Sequence, residues 1–273
     1  MMQSDPALEA FSEAVNLPDE EIGLARASLA LARTQYPTLN PEPILRRLDE
    51  MADRVLHEAG PSRRLVDQVE TLMRVTLRET GIRGTDSENF FDPCNSLLNK
   101  VIERREGIPI ALGILLLSVG ARTGIALGGT SMPLHFLVRV LGMGDPLFID
   151  PYDGGRLLSQ EGCRGFLMSL SQGRMVLDPK MLEVISSADV LTRLMTNLKL
   201  IYLDAGRLDM ALMMLDRLLI LNPEAPSLLR ERGLTRYRMQ DRGGARLDLE
   251  AYLVLADNPP DAAQIRNLLR QIG

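Results

Sequence analysis

The sequence predicts a mostly helical α+β fold, in which a core with a small antiparallel sheet is followed by a helical repeat region. Aromatic residues make up only 4% of the chain and Trp is absent, so helix packing is favoured over a β-sandwich. An apolar segment at 108–121 predicts a helix that is buried on most sides. Shorter runs at 125–130, 134–141 and 147–150 predict the strands.

Residues 1–80 are expected to form a helical segment that packs on the core. Pro18 is followed by three acidic residues and predicts one helix start, because proline and negative charge both suit a first helical turn. A second helix is expected from Glu42, and Ser62 is a candidate cap for a third.

Residues 81–185 are expected to form the core, which is organised around two helices. Asn95 or Ser96 is predicted to cap the first helix, and Gly107 to close it. Pro109 opens the second, buried helix, at a position where the missing proline N–H costs no helical hydrogen bond.

Two of the strands are predicted to form an antiparallel hairpin that carries a His and an Asp. His135 lies within the run 134–141, and Asp150 ends the next run. A turn at Met143-Gly144 makes the two residues diagonal neighbours, whereas a turn at Gly142-Met143 places them directly opposite. In either register their Cβ atoms lie roughly 5–8 Å apart, within reach of an imidazole–carboxylate hydrogen bond.

Residues 186–273 are expected to form helical repeats. A shift by one repeat period maps Ala211 to Ala245 and Leu215 to Leu249, and a closing helix is expected at 261–272. The offsets of a tetratricopeptide unit of about 34 residues are occupied by Tyr202, Gly206, Ala211, Leu215 and Pro223.

Charge and composition argue against several classes of partner. A net charge of −5 with mixed signs argues against nucleic acid. Cys94 and Cys163 cannot form a disulfide framework, and no metal, nucleotide or flavin motif is present, so no cofactor and no metal are expected. The sequence shows no signal peptide and no apolar run long enough for a bilayer, so a cytoplasmic protein without a membrane partner is expected.

A His and an Asp on neighbouring strands, facing the start of a buried helix, form the frame of a cysteine-protease-like or transglutaminase-like site. The carboxylate fixes the tautomer of the imidazole and stabilises its cation, as a general base requires. Pro109 stands where the nucleophile is expected. His135 and Asp150 are therefore candidate catalytic residues without a nucleophile to activate.

Three segments, at 95–110, 134–139 and 148–158, together resemble the SirB-like family. The resemblance implies a papain/transglutaminase-like core with a small antiparallel sheet, followed by tetratricopeptide-like repeats. In active transglutaminase-like proteins a Cys opens the central helix, whose N-terminus lowers the pKa of the thiol. Pro109 occupies that place, so the resemblance implies a triad that has lost its nucleophile.

Other residues are candidates for the same site. Cys94 could be a displaced nucleophile, although a small buried side chain is the simpler interpretation. Cys163 is expected in the core. Asn95, Arg105 and Arg156 are candidates to line the cleft or to satisfy backbone groups at helix ends, and capping alone would account for Asn95.

The leading interpretation is a catalytically degenerate transglutaminase-like protein that acts as a protein- or peptide-binding accessory or regulatory module. Binding would use the old cleft around His135 and Pro109 and the concave face of the repeats. One alternative is a hydrolase or acyltransferase on amide or ester bonds that uses His135, Asp150 and Cys94. Another is a His–Asp dyad that acts on a bound water. A Cys94 Sγ atom within about 4 Å of His135 would favour the enzyme.

Overall fold

The computed structural model describes residues 5–60 and 64–272, so the predicted cap at Ser62 lies outside the described residues. The chain divides into two compact units, with the boundary between Leu194 and Met195. Twelve α-helices and six short strands fall within the described ranges. The predicted α+β, mostly helical fold is therefore confirmed. No helix of these ranges is long and apolar enough to cross a membrane.

Four helices precede the core of the first unit. The predicted helix start at Pro18 is wrong, because Asp19–Glu21 forms a single 3-10 turn and the backbone is extended at Ile22 and Gly23. The Asp19 carboxylate accepts hydrogen bonds from the amides that begin a later helix, at 3.0 and 2.9 Å. The bounds are α1 Pro6–Val15, α2 Leu24–Ala32, α3 Glu42–Ala59 and α4 Leu65–Met73, the last continued by a π-helical turn at Arg74–Arg78.

The first core helix, α5 (Leu98–Arg104), is not capped as predicted. Asn95 and Ser96 lie in a preceding 3-10 turn, and no side chain of the described residues caps the α5 N-terminus. Capping by either residue is therefore wrong, since the Asn95 side chain bonds elsewhere. α5 ends at Arg105, whose backbone is left-handed with φ 61°, so the predicted closure at Gly107 is also wrong.

The second core helix, α6 (Pro109–Thr123), is the buried helix at the centre of the first unit. It begins at Pro109 as predicted, and every residue from Pro109 to Gly120 is buried. Gly113 lets the ring of Phe136 pack directly on the helix, because a Cβ at Gly113 would lie 2.4 Å from a ring carbon. This contact seats one face of the sheet on α6.

Four strands form one antiparallel sheet in the order β3-β4-β5-β6, and a separate parallel pair joins β1 to β2. The predicted run 134–141 is mostly not a strand, because Leu134 adopts a positive φ of 64° and the chain bends before β4. β6 is a strand that the alternation did not predict. The bounds are β1 Arg83–Gly84, β2 Glu106–Gly107, β3 Leu127–Gly129, β4 Val138–Val140, β5 Leu147–Asp150 and β6 Arg156–Ser159.

The other face of the sheet packs on α7 (Gln160–Leu170). Ser159 caps this helix, since its hydroxyl accepts the Gly162 N–H at 3.1 Å. Side chains from the sheet, from α7 and from the following segment form one apolar cluster. Its buried members are Met132, Leu137, Phe148, Leu158, Cys163, Leu167, Leu177 and Leu182.

Helical repeats make up the second unit. Ala211, Leu215, Ala245 and Leu249 are all fully buried, as the repeat offsets require. Gly233 allows close helix packing, because a Cβ there would lie 2.8 Å from a Leu249 side-chain carbon. The bounds are α8 Ser187–Asp204, which crosses the unit boundary, α9 Leu208–Leu221, α10 Pro226–Arg238, α11 Arg242–Leu255 and α12 Ala262–Ile272.

Candidate functional site

His135 and Asp150 lie together at one end of the sheet. His135 Nε2 is 2.7 Å from Asp150 Oδ1, and only 7% and 3% of the two side-chain surfaces are exposed. β4 pairs with β5 so that Val138 opposes Ile149, and extending this register makes His135 and Asp150 diagonal neighbours. Of the two predicted registers, this is the one with a turn at Met143-Gly144.

Tyr152 holds the carboxylate in place. Its N–H donates to Asp150 Oδ1 at 3.0 Å, so this single oxygen accepts two hydrogen bonds. The Tyr152 hydroxyl donates to the carbonyl of Thr85, and its ring meets the His135 ring edge-on at a centroid distance of 5.8 Å. Phe166 packs edge-on against the same imidazole at 4.9 Å. The imidazole is therefore fixed by a carboxylate and by two aromatic rings.

Arg193 supports the bent segment that carries His135. Its guanidinium donates to the carbonyls of Met132 and His135 at 2.8 and 2.7 Å, and more weakly to that of Thr130 at 3.4 Å. Burial lowers the pKa of Arg193. These bonds satisfy carbonyls that no described strand reaches, because Leu134 turns the chain out of the sheet.

Asn95 connects the site to the start of α6. Its side-chain amide donates to the Thr85 hydroxyl at 3.2 Å and to the Asn89 carbonyl at 2.7 Å. The main-chain carbonyl of Asn95 accepts the N–H of Ile108, the residue before Pro109, at 2.9 Å. Hydrogen bonds thus connect Asp150, through Tyr152, Thr85 and Asn95, to the N-terminus of α6, where Pro109 is buried.

Cys94 faces a different neighbour. Its Sγ atom is 3.5 Å from the hydroxyl of Tyr36, and its backbone N–H is bonded to Asp92. Burial and the Cys94 contact raise the pKa of Tyr36 to about 12. Within residues 5–60 and 64–272, Cys94 forms no hydrogen bond with His135. The structure therefore does not bring the candidate displaced nucleophile onto the imidazole.

Cys163 lies in the apolar cluster behind the sheet, as predicted, with none of its surface exposed. Burial, with a smaller contribution from Asp150, raises the pKa of its thiol to about 12. A nucleophilic cysteine needs an accessible thiolate, so Cys163 does not fit that role.

Arg105 and Arg156, which were candidates to line the cleft, are both exposed. Arg105 accepts the Arg83 N–H through its carbonyl, at 3.0 Å. Arg156 opposes Asp150 in the sheet, but its guanidinium lies 3.6 Å from Asp153. Neither side chain bonds to the His–Asp pair in the described part of the chain.

The arrangement can orient an imidazole, but no thiol or hydroxyl of the described residues is bonded to His135. Asp150 engages Nε2, which leaves Nδ1 as the nitrogen available to another group. Across the two described ranges, no group of three or more His, Cys, Asp or Glu side chains is placed to hold a metal ion.

Three residues that support the site, Tyr152, Phe166 and Arg193, were not predicted from the sequence. The Tyr152 N–H bonds to the Asp150 side chain two residues earlier, which is an Asx turn. The segment Asp150-Pro151-Tyr152 is typical of such a turn, so the contact of Tyr152 with Asp150 could have been predicted. No local sequence pattern indicates the contacts of Phe166 and Arg193, because each reaches His135 only through the tertiary fold.

The central helix, the small antiparallel sheet with its His–Asp pair and the helical repeats define a transglutaminase-like protein with a tetratricopeptide region. The family model described as "Transglutaminase-like superfamily" matches residues 42–196, and the model described as "Tetratricopeptide repeat" matches residues 198–270. The chain belongs to the transglutaminase-like superfamily.

Several bacterial proteins are similar to this chain over most of its length. A UPF0162 protein of Xylella fastidiosa is 32% identical, covering 96% of this chain and 94% of its own. A UPF0162 protein of Vibrio cholerae is 29% identical, covering 95% and 97%. Protein SirB1 of Salmonella typhimurium is 25% identical and covers 89% of each chain. The resemblance to the SirB-like family is confirmed.

Proposed function

We propose that this protein is a catalytically degenerate transglutaminase-like protein that binds a protein or peptide segment as an accessory or regulatory module. One observation carries the first half of this proposal. The imidazole of His135 is buried and oriented by Asp150, but its described contacts are a carboxylate and two aromatic rings. Acyl transfer through a covalent intermediate needs a nucleophile within hydrogen-bond reach of the base.

The start of α6 supports the same conclusion. A cysteine at a helix N-terminus gains thiolate character from the helix dipole and from a neighbouring imidazole. Pro109 offers neither a thiol nor an N–H at that position. The alternative that recruits Cys94 has no support from its contacts, since its Sγ atom is paired with Tyr36.

The repeat region supports the binding half. Tetratricopeptide units stack helix pairs into surfaces that commonly accept extended or helical segments. In the second unit, Leu247 and Val254 on α11 have 69% and 83% of their surfaces exposed, although each is a large apolar side chain. Apolar side chains on a repeat surface suit a protein partner better than a small polar substrate.

Restoring the missing thiol tests the proposed loss of catalysis. The wild type is expected to show no His135-dependent turnover of fluorogenic amides or esters, and no acyl adduct by intact mass. Pro109→Cys is expected to create a thiol that is alkylated faster at neutral pH than the same thiol in the Pro109→Cys, His135→Ala double variant. An acyl-enzyme at Cys94 in the wild type would overturn the proposal, as would turnover by the dyad acting on water.

Binding is tested separately with a library of random peptides displayed on phage and selected against the full chain. Selected peptides are expected to bind at micromolar affinity and to slow hydrogen exchange in the segment before β4 or in helices α9–α11. Failure to select any peptide with a Kd below about 100 µM would contradict the binding half and leave the catalytic result standing.

A further inference from the structure

A pocket of about 520 Å³ lies within the first unit and shares no lining residue with the His135 site. Its walls are the 3-10 turn and first turn of α2, the second half of α6, β3, and the segment 184–190. We call it the β3 pocket. Two of its walls present main-chain groups that have no hydrogen-bond partner among the described residues.

The first of these walls is the outer edge of β3, the edge strand of the sheet. Thr130 N–H donates to Leu137 at 3.0 Å, and Leu141 N–H donates to Ala126 at 2.9 Å. The residues bonded to β4 are therefore 126, 128 and 130, because hydrogen-bonded positions alternate along an antiparallel pair. The N–H and carbonyl of Leu127 consequently point away from β4, toward the open edge.

The chain covers only one end of that edge. Ile185 N–H donates to the Gly129 carbonyl at 2.9 Å, and an isolated bridge joins Thr130 to Val184. The next residues turn away, because the amides of Ser187 and Ala188 bond to Asp19. Leu127 receives no such bond from the described part of the chain. An open edge of this kind can accept an extended peptide as an added strand.

The second wall is the N-terminus of α2, a helix of nine residues. Its N-cap, Gly23, has no side chain to offer, and the amides of Leu24, Ala25 and Arg26 have no acceptor within residues 5–60 and 64–272. Three free amides at a helix start carry partial positive charge and favour a carboxylate.

One side chain of the pocket agrees with an anionic ligand. The Arg26 guanidinium is exposed, with a contact of only 3.9 Å to Glu42. Of the acidic groups at the pocket, Asp19 is already bonded to two amides, and Glu20 is exposed at the rim.

We propose that the β3 pocket binds the C-terminal segment of a partner protein in an extended conformation. The main chain of the segment pairs with Leu127 at the edge of β3, and its terminal carboxylate accepts the free amides of α2 beside Arg26. Both walls line one pocket, so a single short peptide engages both. This site does not depend on the proposed role of the His135 cleft and has its own readout.

The probe is a pool of random octapeptides with free carboxyl termini, compared with the same pool amidated at the C-terminus. Enriched peptides are titrated by fluorescence anisotropy against the full chain. We expect the free acids to bind at least tenfold more tightly than their amides. We also expect bound peptide to slow hydrogen exchange at Leu127 and at residues 24–26.

Gly23→Asp is the decisive variant, because it places a carboxylate from the chain itself on the α2 amides. Among the described residues, a Cβ at Gly23 meets only the Arg26 side chain, at 3.9 Å, and the backbone there is extended, so the variant is expected to fold. It is expected to weaken the binding of free-acid peptides at least tenfold, whereas Gly23→Ala is expected to leave their affinity within about threefold of the wild type.

Leu127→Pro tests the edge, since it removes an N–H that faces away from β4. Leu127→Ala is its matched control, because it shortens the side chain and keeps the N–H. We expect Leu127→Pro to weaken binding at least fivefold relative to Leu127→Ala. Equal affinity of acid and amide peptides, unchanged binding in Gly23→Asp, or protection only outside the pocket would each overturn the proposal. So would a pocket occupied by a second copy of the chain.

Discussion

Asp150 is expected to matter more for the stability of the first unit than its partner His135. Asp150 Oδ1 accepts hydrogen bonds from His135 Nε2 and from the Tyr152 N–H. Asp150→Ala therefore leaves two donors without an acceptor, and each buried orphan costs about 1–3 kcal/mol. His135→Ala leaves Asp150 still bonded to Tyr152. We expect Asp150→Ala to cost about 3–5 kcal/mol and to exceed His135→Ala by about 1–2 kcal/mol.

Native-state hydrogen exchange of the amides in β4 and β5 measures this cost, because it reports the opening of the first unit alone. Asp150→Asn is the control that keeps an acceptor oxygen, and it should fall between the wild type and Asp150→Ala. The double variant Asp150→Ala, His135→Ala completes a double-mutant cycle. Since the bond between the two residues involves a charged group, we expect a coupling of about 1.5–3 kcal/mol. A coupling below about 0.5 kcal/mol, or equal costs for the two alanine variants, would contradict this role of Asp150.

Three further predictions follow from the packing. Because the pKa of Cys163 is about 12 and the residue is fully buried, alkylation of the native protein at pH 7 should modify Cys94 first and Cys163 only after unfolding, as peptide mapping would show. Gly113→Ala should lower the free energy of unfolding by about 1–3 kcal/mol, since its Cβ would lie 2.4 Å from an aromatic ring. Gly165→Ala on α7 should not destabilise the protein, because a Cβ there would have no atom of the described residues within 4 Å. Denaturant midpoints distinguish the two variants. Arg193→Met should speed hydrogen exchange in the segment before β4 and leave α9–α12 unchanged, and uniform acceleration would contradict this.

Local signals account for the parts of the fold that the sequence could predict. The helix that begins at Pro109 could be predicted because its residues are almost all apolar. The hairpin that brings His135 to Asp150 could be predicted because a turn and an alternation of side-chain faces both lie within 15 residues. The prediction of a helix start at Pro18 was wrong because tertiary hydrogen bonds of Asp19 outweighed the local sequence signal. Asp19 forms its hydrogen bonds with amides that lie 168 and 169 residues further along the chain.

Other features could not be predicted because their partners are distant in sequence. The Tyr152 hydroxyl reaches Thr85 across 67 residues, and Arg193 reaches His135 across 58. β4 is also shorter than its alternation suggests, since three arginine–carbonyl bonds replace the ladder that the residues around Leu134 would have made. Side chains that act on the backbone of another segment leave no periodic trace in their own segment.

The His–Asp pair has a structural use that does not require a nucleophile. Hydrogen bonds connect it, through Tyr152, Thr85 and Asn95, to the amide just before α6. Because one oxygen of Asp150 accepts from both the His135 ring and the Tyr152 N–H, removing the carboxylate detaches His135 from this series. Removing a thiol from the α6 position would break none of these bonds. A transglutaminase-like core can therefore lose its nucleophile and keep the rest of its site ordered. The measured difference between Asp150→Ala and His135→Ala is the direct measure of that structural use.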